Sequence, residues 1–314
     1  MPEITELYRV HRPTSLDEVI GQPEAVRVLK DKIKSKKIPH AMMFVGPSGV
    51  GKTTVARILQ RELDCGDPDF FEINCASMDG VLDTIRDIQN NMKKKPMSGS
   101  SRIWLLDEFQ SMSRAGFGMQ STLKVLEDTP KHVYFILATT DAQKIIKTIH
   151  TRCMIVKFQS LSGKFLKIII NNVLEKEKVQ IPDSVVERLI TTAEGSARTA
   201  LVNLDKIIGL QTEEEQLNSI QPDQSHKVAY DLVRALLWEK SDWKKIAEII
   251  NSLEDGQDWE GIRHLVLTNA SKEALKAGKT AKLAVAILDQ FRDNWYDCGK
   301  AGLVACCFGI LGRK

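Results

Sequence analysis

The 314-residue chain has no Cys-x-x-Cys pair, no apolar run of membrane length and no large excess of either charge. Its six cysteines are Cys65, Cys75, Cys153, Cys298, Cys306 and Cys307, and no histidine stands at a zinc-ligand spacing. Such scattered thiols argue against a metal site or a disulfide framework, and favour buried free thiols in a reducing cytoplasm. Met1-Pro-Glu-Ile-Thr-Glu is acidic and lacks the apolar core of a signal peptide. Residues 301–311 are apolar but span roughly half the length that a bilayer requires. No membrane contact is expected. Net charge is +3, so any cationic surface that meets nucleic acid must be local. No internal repeat is evident, and the strand signal is absent after residue 161. With 43% hydrophobic and 27% charged residues, the composition is that of a soluble globular chain of two or three domains.

Against that plain background stands Gly46-Pro47-Ser48-Gly49-Val50-Gly51-Lys52-Thr53, followed by Thr54. It fits G-x-x-x-x-G-K-[ST], a loop that wraps nucleotide phosphates. Glycines let successive N–H groups turn inward around an anion, and the following helix adds the positive end of its dipole. Lys52 is expected to reach the β- and γ-phosphates, and the Thr53 hydroxyl to help hold Mg²⁺. The context fits: 41–45 reads as a buried strand entering the loop and 52–63 as a helix leaving it. Further strands are expected over 70–74, 102–106, 133–138 and 153–158, runs apolar enough for a parallel sheet covered on both faces. Beyond 161 the periodicity is helical over 163–177, 183–194 and 198–210. Residues 212–225 are polar, contain Pro222 and read as a linker. More helices follow over 228–239, 243–253, 259–275 and 282–296. The fold class is α/β, a P-loop core with a parallel sheet, followed by two all-helical domains. The expected boundaries are 1–160, 161–218 and 219–314.

Ile103-Trp-Leu-Leu-Asp107-Glu108 closes an apolar strand on two carboxylates. Asp107 can hold the Mg²⁺ hydration shell beside Thr53, and Glu108 can polarise an attacking water. The next buried strand ends in Thr139-Thr140-Asp141. Either threonine can lie near the γ-phosphate, with Thr140 slightly favoured, and a helix-capping turn is the alternative. Arg152, in Thr151-Arg152-Cys153, has no evident partner within its own nucleotide site. In a ring or arc of subunits it can reach a neighbour's γ-phosphate; otherwise it is a surface ion-pair residue. Arg198, in Gly195-Ser-Ala-Arg198-Thr-Ala-Leu, places a cation in the first turn of a helix, against the dipole. That conflict suggests a role facing the nucleotide, with pairing to Glu194 as the alternative.

Together these motifs resemble the clamp-loader ATPase subunits of the AAA+ superfamily, such as bacterial gamma/tau subunits and their viral counterparts. The resemblance covers residues 7 to about 210. It also rests on Tyr8-Arg9-x-x-Arg12-Pro13, Gly21-Gln22, Thr122-Leu-Lys-Val-Leu-Glu127 and Ala138-Thr-Thr-Asp-Ala-Gln-Lys144. It implies ATP and Mg²⁺ as ligands, with Tyr8, Arg9, Arg12 and Pro13 near the adenine. Thr140 would be sensor 1, Arg152 a trans-acting finger and Arg198 sensor 2. Thr151 stands for the family's usual serine, and Thr199 for a common aspartate, which puts one polar contact in doubt. Gamma/tau proteins carry a four-cysteine zinc module between the nucleotide motifs. Only Cys65 and Cys75 lie there, so no zinc is expected. The chain also ends without a tau-like extension, and its compact core and short connections suggest a bacteriophage form.

The resemblance further implies other clamp-loader subunits in a homo- and hetero-oligomer of five, a sliding clamp and primer–template DNA as partners. It places the chain in the cytoplasm, or in the host cytoplasm if the source is viral. Arg86, on a helix around 78–90, and Lys93, Lys94 and Lys95, in a basic and flexible connection, are the candidates for DNA phosphate contact. Phe109, Met112 and Phe117 are either clamp anchors or core. Gln110 or Gln120 could restrain Glu108. Trp238, Trp243, Trp259 and Trp295 cluster in the last third, which would be a collar of assembled helices. Two rivals remain: a branch-migration-type AAA+ motor, which should carry a winged helix at its end, and a nucleotide-binding structural subunit without turnover.

Overall fold

The computed structural model describes residues 6–77, 81–115, 118–220, 224–237, 242–253, 259–276, 278, 280–293 and 299–311. Five strands form one sheet: β1 (Ala41–Val45), β2 (Phe70–Asn74), β3 (Arg102–Asp107), β4 (Val133–Thr139) and β5 (Met154–Lys157). Their order is β2-β3-β4-β1-β5, and every pairing is parallel. The three central strands carry apolar residues at nearly every position because both faces of the sheet are covered. Side chains alternate between those faces. Met42, Phe44, Ile103, Leu105 and Ile136 enter one core with Leu29, Val55 and Leu59. Met43, Trp104, Leu106, Phe135 and Leu137 enter the other with Ile85, Ile88 and Val125.

The helices of this part are α1 (Leu7–Val10), α2 (Pro23–Lys34), α3 (Lys52–Glu62), α4 (Val81–Asn91), α5 (Gly118–Glu127) and α6 (Lys147–His150). Four more follow: α7 (Gly163–Glu177), α8 (Asp183–Ala193), α9 (Ala197–Ile207) and α10 (Glu213–Ser219). They share a separate core of Leu166, Ile170, Leu189, Leu204 and Ile220, to which Leu7 of α1 also contributes. The chain divides into two compact units, Met1–Ile220 and Gln221–Lys314. The second holds α11 (Gln224–Leu237), α12 (Trp243–Asn251), α13 (Trp259–Leu275), α14 (Ala281–Gln290) and α15 (Gly299–Leu311). Leu232, Ile246, Val266, Ile287 and Cys307 form its core, with Trp243 and Trp259 packed partly buried against it. Trp243 meets Phe308 edge-on at 5.2 Å between ring centroids. Trp238 and Trp295 lie outside the described residues.

Several expectations are corrected. The stretch 212–225 is not a linker throughout, because Thr212 and Glu215 form a reciprocal capping box that starts α10. The first unit accordingly extends to Ile220, which is fully buried and whose carbonyl accepts from Arg188 Nε. Helix α14 ends at Gln290, short of the expected 296, and residues 294–298 lie outside the described ones. Of the two readings left open for Phe109 and Met112, the core one holds, at 0% and 1% exposure, and Phe117 lies outside the described residues.

The basic turn at 93–95 is not a loose connection either. The Arg102 guanidinium donates to the carbonyls of Asn91, Lys94 and Lys95, and Asp69 accepts from the N–H groups of Met97 and Ser98. Arg102 and Asp69 pair with each other at 2.5 Å, and Asp69 is 0% exposed. Three lysines are thereby held outward on a fixed backbone, all exposed. Burial disfavours the Asp69 carboxylate. The Ser98 N–H, the Arg102 guanidinium and the Met97 N–H outweigh it and hold the carboxyl below its usual value. A lowered carboxyl pKa stabilises the fold above the unfolded pKa, and that contribution disappears as pH falls through the folded value. Asp69→Ala leaves Arg102 buried without its counter-ion and should cost about 3–5 kcal/mol in urea unfolding at neutral pH. The difference from wild type should shrink in acid.

Candidate nucleotide site

The ends of β1, β3 and β4 bring the candidate residues together because all strands run the same way, a crevice where ligands of open α/β sheets bind. From β1 the chain enters the loop 46–51, in which Gly49 and Gly51 adopt φ of +71° and +107°. Gln22, 3% exposed, braces this loop: its amide donates to the Gln159 and Val50 carbonyls and accepts from the Gln159 N–H. Its side chain acts as a support for the loop, a role that the motif Gly21-Gln22 did not itself reveal.

Lys52 opens α3 and is 7% exposed. Its Nζ lies 2.7 Å from both the Gly46 and the Pro47 carbonyls. Burial pushes the ammonium pKa down, Asp107 and Glu108 pull it back up, and Arg198 lowers it further. Thr53 Oγ1 donates to Asp107 Oδ2 at 3.1 Å, and Asp107 Oδ1 accepts from the Glu108 N–H at 2.9 Å. Glu108 has a φ of +51°, an uncommon left-handed conformation that turns its carboxylate off the strand line. Burial, reinforced by these two carboxylates, drives the Cys75 thiol up to about 12, so it is no competing nucleophile.

A cavity of about 700 Å³ runs along this loop, lined by Tyr8, Arg12, Pro13, Ser48 to Thr54, Asp107, Glu108 and Arg198 among others. A second, of about 880 Å³, shares Tyr8, Arg12, Pro13, Thr53 and Glu108, and adds Arg9, Arg57 and Arg61. Arg9 therefore faces this second space; its Nε donates to the Tyr8 hydroxyl and pairs with Glu6. Arg12 is pushed down by burial and by neighbouring Arg57, with Glu72 partly opposing. Arg57 and Arg61 were missed in the sequence. They stand on α3 four residues apart, but nothing in their local pattern says which face meets the site.

Helix α9 sits directly on the phosphate loop. The Arg198 N–H donates to the Gly49 carbonyl at 3.3 Å, and the Arg198 guanidinium lies 5.7 Å above the Tyr8 ring. Ser196 caps α9 by accepting from the Thr199 N–H at 3.1 Å and from its hydroxyl at 2.9 Å. Thr199 thus serves the cap. At the end of β4, Thr139 is fully buried while Thr140 is exposed. Gln110 bridges Glu108 and these threonines, whereas Gln120 is exposed on α5.

Other candidates lie apart from both cavities. Arg152 pairs with Glu127 at 2.5 Å and donates to the Thr148 carbonyl at 2.9 Å. Arg86 is exposed and pairs with Asp83 at 3.0 Å. Lys94 reaches Asn91 Oδ1 at 2.8 Å.

Comparison with known proteins is decisive for the family. A model of the family described as DNA polymerase III, delta subunit, matches residues 21–82 and 67–162. DNA polymerase III subunit gamma of Buchnera aphidicola subsp. Schizaphis graminum is 31% identical over 283 residues, 82% of this chain and 76% of that one. The chain belongs to the gamma/tau family of AAA+ clamp-loader subunits. DNA polymerase III subunit tau of Bacillus subtilis is 33% identical over 223 residues, 64% of this chain but 39% of that protein. For the Escherichia coli tau subunit the identity is 31%, over 82% of this chain and 43% of the relative. The chain thus spans less than half of these tau relatives. In three dimensions it resembles a point mutant of Thermotoga maritima RuvB, with a TM-score of 0.60 and 17% identity over 82% of this chain and 92% of that one. At that identity the likeness is one of fold.

A Cβ at Gly49 would stand 2.1 Å from Ser196 Oγ and 3.1 Å from Arg198 Cβ, at a φ that side chains avoid. Gly49→Ala should therefore push α9 off the loop. Titration with a fluorescent ATP analogue should show affinity weakened by about tenfold, roughly 1.4 kcal/mol.

Proposed function

We propose that this chain is the ATPase subunit of a sliding-clamp loader, which uses ATP binding and hydrolysis to open a clamp and load it on primer–template DNA. The observation that carries this reading is the meeting of Lys52, Thr53, Asp107, Glu108 and Arg198 at one cavity. A cationic loop, a hydroxyl–carboxylate pair and a second carboxylate are the parts that phosphoryl transfer to water requires.

The donor set fits a nucleotide and a hard cation. Lys52 is already aimed into the loop, where its two carbonyl partners would give way to phosphate oxygens. Thr53 and Asp107 are oxygen ligands held side by side, as Mg²⁺ prefers. Bound Mg²⁺ would neutralise charge on the phosphate oxygens. Glu108 would take a proton from water as its oxygen bonds to the γ-phosphorus and the bond to the bridging oxygen breaks. Thr140 and Arg198 would contact the γ-phosphate, with Tyr8, Arg12 and Pro13 along the rest of the nucleotide and Arg9 at its edge.

Arg152 would act on a neighbour's nucleotide. It lies away from its own cavity and is held ready by Glu127, an exposed pair of small strength that assembly can exchange. The chain would assemble into a homo- and hetero-oligomer of five, acting in the cytoplasm and in a bacteriophage setting, with residues 1–160 as ATPase core, 161–218 as lid and 219–314 as collar. Arg86 and the fixed Lys93–Lys94–Lys95 turn are the proposed DNA phosphate contacts. Among the described residues the second unit contains helices alone, which favours a collar over a winged helix. No described helix is long and apolar enough to cross a membrane.

ATP turnover, measured with and without primed DNA and clamp, tests the reading; strong stimulation should need both. Turnover driven equally by duplex alone would indicate a motor instead. Glu108→Gln should retain ATP binding and lose turnover by at least about a hundredfold. Arg152→Ala should leave binding to its own site intact yet reduce turnover about 10³-fold or more in the assembly. Mixing Arg152→Ala with Lys52→Ala subunits should restore part of the activity if the contact is made in trans.

A further inference from the structure

The geometry assigns Gln110 and Thr139 as positioning residues that hold the Glu108 carboxylate, a role that rests on the ATPase reading above. Gln110 is engaged at both ends of its side-chain amide. Its Nε2 donates to Glu108 Oε2 at 2.5 Å and to Thr140 Oγ1 at 3.0 Å. Its Oε1 accepts from Thr139 Oγ1 at 2.7 Å and from the Thr140 N–H at 3.4 Å.

The chemistry of the neighbours fixes which end is which. A carboxylate only accepts, so the end at Glu108 must be the NH₂. A backbone N–H only donates, so the end at Thr140 N must be the oxygen. Thr139 adds the decisive constraint. Its oxygen already accepts from the Asp141 N–H at 3.1 Å, which leaves its proton for Gln110 Oε1. Thr139 is fully buried at the end of the central strand β4, so this hydroxyl is the immobile member of the chain of bonds.

The order of control therefore runs from the sheet outward. Thr139 orients the amide, and the amide orients the carboxylate, which at a φ of +51° is not otherwise held by regular structure. Because Thr140 accepts from Gln110, its own proton is available to the site. One amide thus sets both the candidate base and the exposed candidate sensor. Asn is one methylene too short for this bridge, and Glu presents oxygen, not N–H, to a carboxylate.

The test uses the complete loader with its clamp and primed DNA. Gln110→Ala and Thr139→Val should each lower kcat about tenfold, with KM for ATP and ATP-analogue affinity within about twofold of wild type. The double variant should be no worse than Gln110→Ala alone, and Thr139→Ser should restore activity. Multiplicative losses in the double variant, or unchanged kcat in Gln110→Ala, would overturn the assignment. A crystal structure of the Thr139→Val chain gives a readout independent of turnover. Gln110 should leave Glu108 there, and an amide still bound to Glu108 would refute the coupling. If wild type and Glu108→Gln prove equally inert, the ATPase reading fails, and the crystal structure still decides the coupling.

Discussion

The hydrogen bond from the Gly46 N–H to the Thr139 carbonyl, 3.1 Å, extends the parallel pairing of β1 and β4 one residue beyond the strand. The level of the phosphate loop relative to the hydroxyl-bearing strand end depends on it. It fixes the start of the phosphate loop against the one strand end that carries two hydroxyls. Thr139 in turn contacts Gln110, which comes from the turn after β3. Three sheet-derived segments are thus held at one level, and no loop has to find its place independently. Gly46 is also required sterically, since a Cβ there would lie 2.4 Å from the Phe158 carbonyl.

The site is built in two halves with different mechanics. The sheet supplies a floor whose polar groups are tied to one another: Thr53 to Asp107, Asp107 to the Glu108 backbone, Glu108 to Gln110. The helical part supplies a wall, and it touches the floor through a backbone bond between Arg198 and Gly49. A contact of that kind transmits displacement whatever side chain sits on α9. The cluster of Arg9, Arg12, Arg57, Arg61 and Arg198 beside it gathers cations on a chain whose net charge is only +3. Glu72 and Glu6 pair with Arg57 and Arg9, and Asp107 and Glu108 line the same cavity.

How much of this was legible in the sequence follows from the range of the forces involved. Strands β1 to β5 were readable to within a residue or so because continuous apolar runs bounded by turns leave few alternatives. Lys52, Thr53, Asp107 and Glu108 were readable because their chemistry demands fixed local spacing. The basic turn was misread as loose, since its anchor is a buried pair whose members lie 33 positions apart. Residues 212–225 were misread because their polar composition masked a capping box. Phe109 and Met112 could not be placed, as an apolar residue after a turn suits core and interface equally. Gln110 was visible as a polar residue near Glu108. Its attachment to Thr139 needed the pairing of β4 with both β3 and β1.

The attachment of Lys52 Nζ to the carbonyls of Gly46 and Pro47 has a consequence for selectivity. The loop on its own already contains a cation satisfied by its own backbone, an internal rival to any incoming anion. An incoming anion has to replace these two hydrogen bonds of Lys52. A polyphosphate that can reach the loop N–H groups, Thr53 and the arginine wall together replaces them in excess. The contact thereby favours an anion long enough to reach all of these groups over a shorter one.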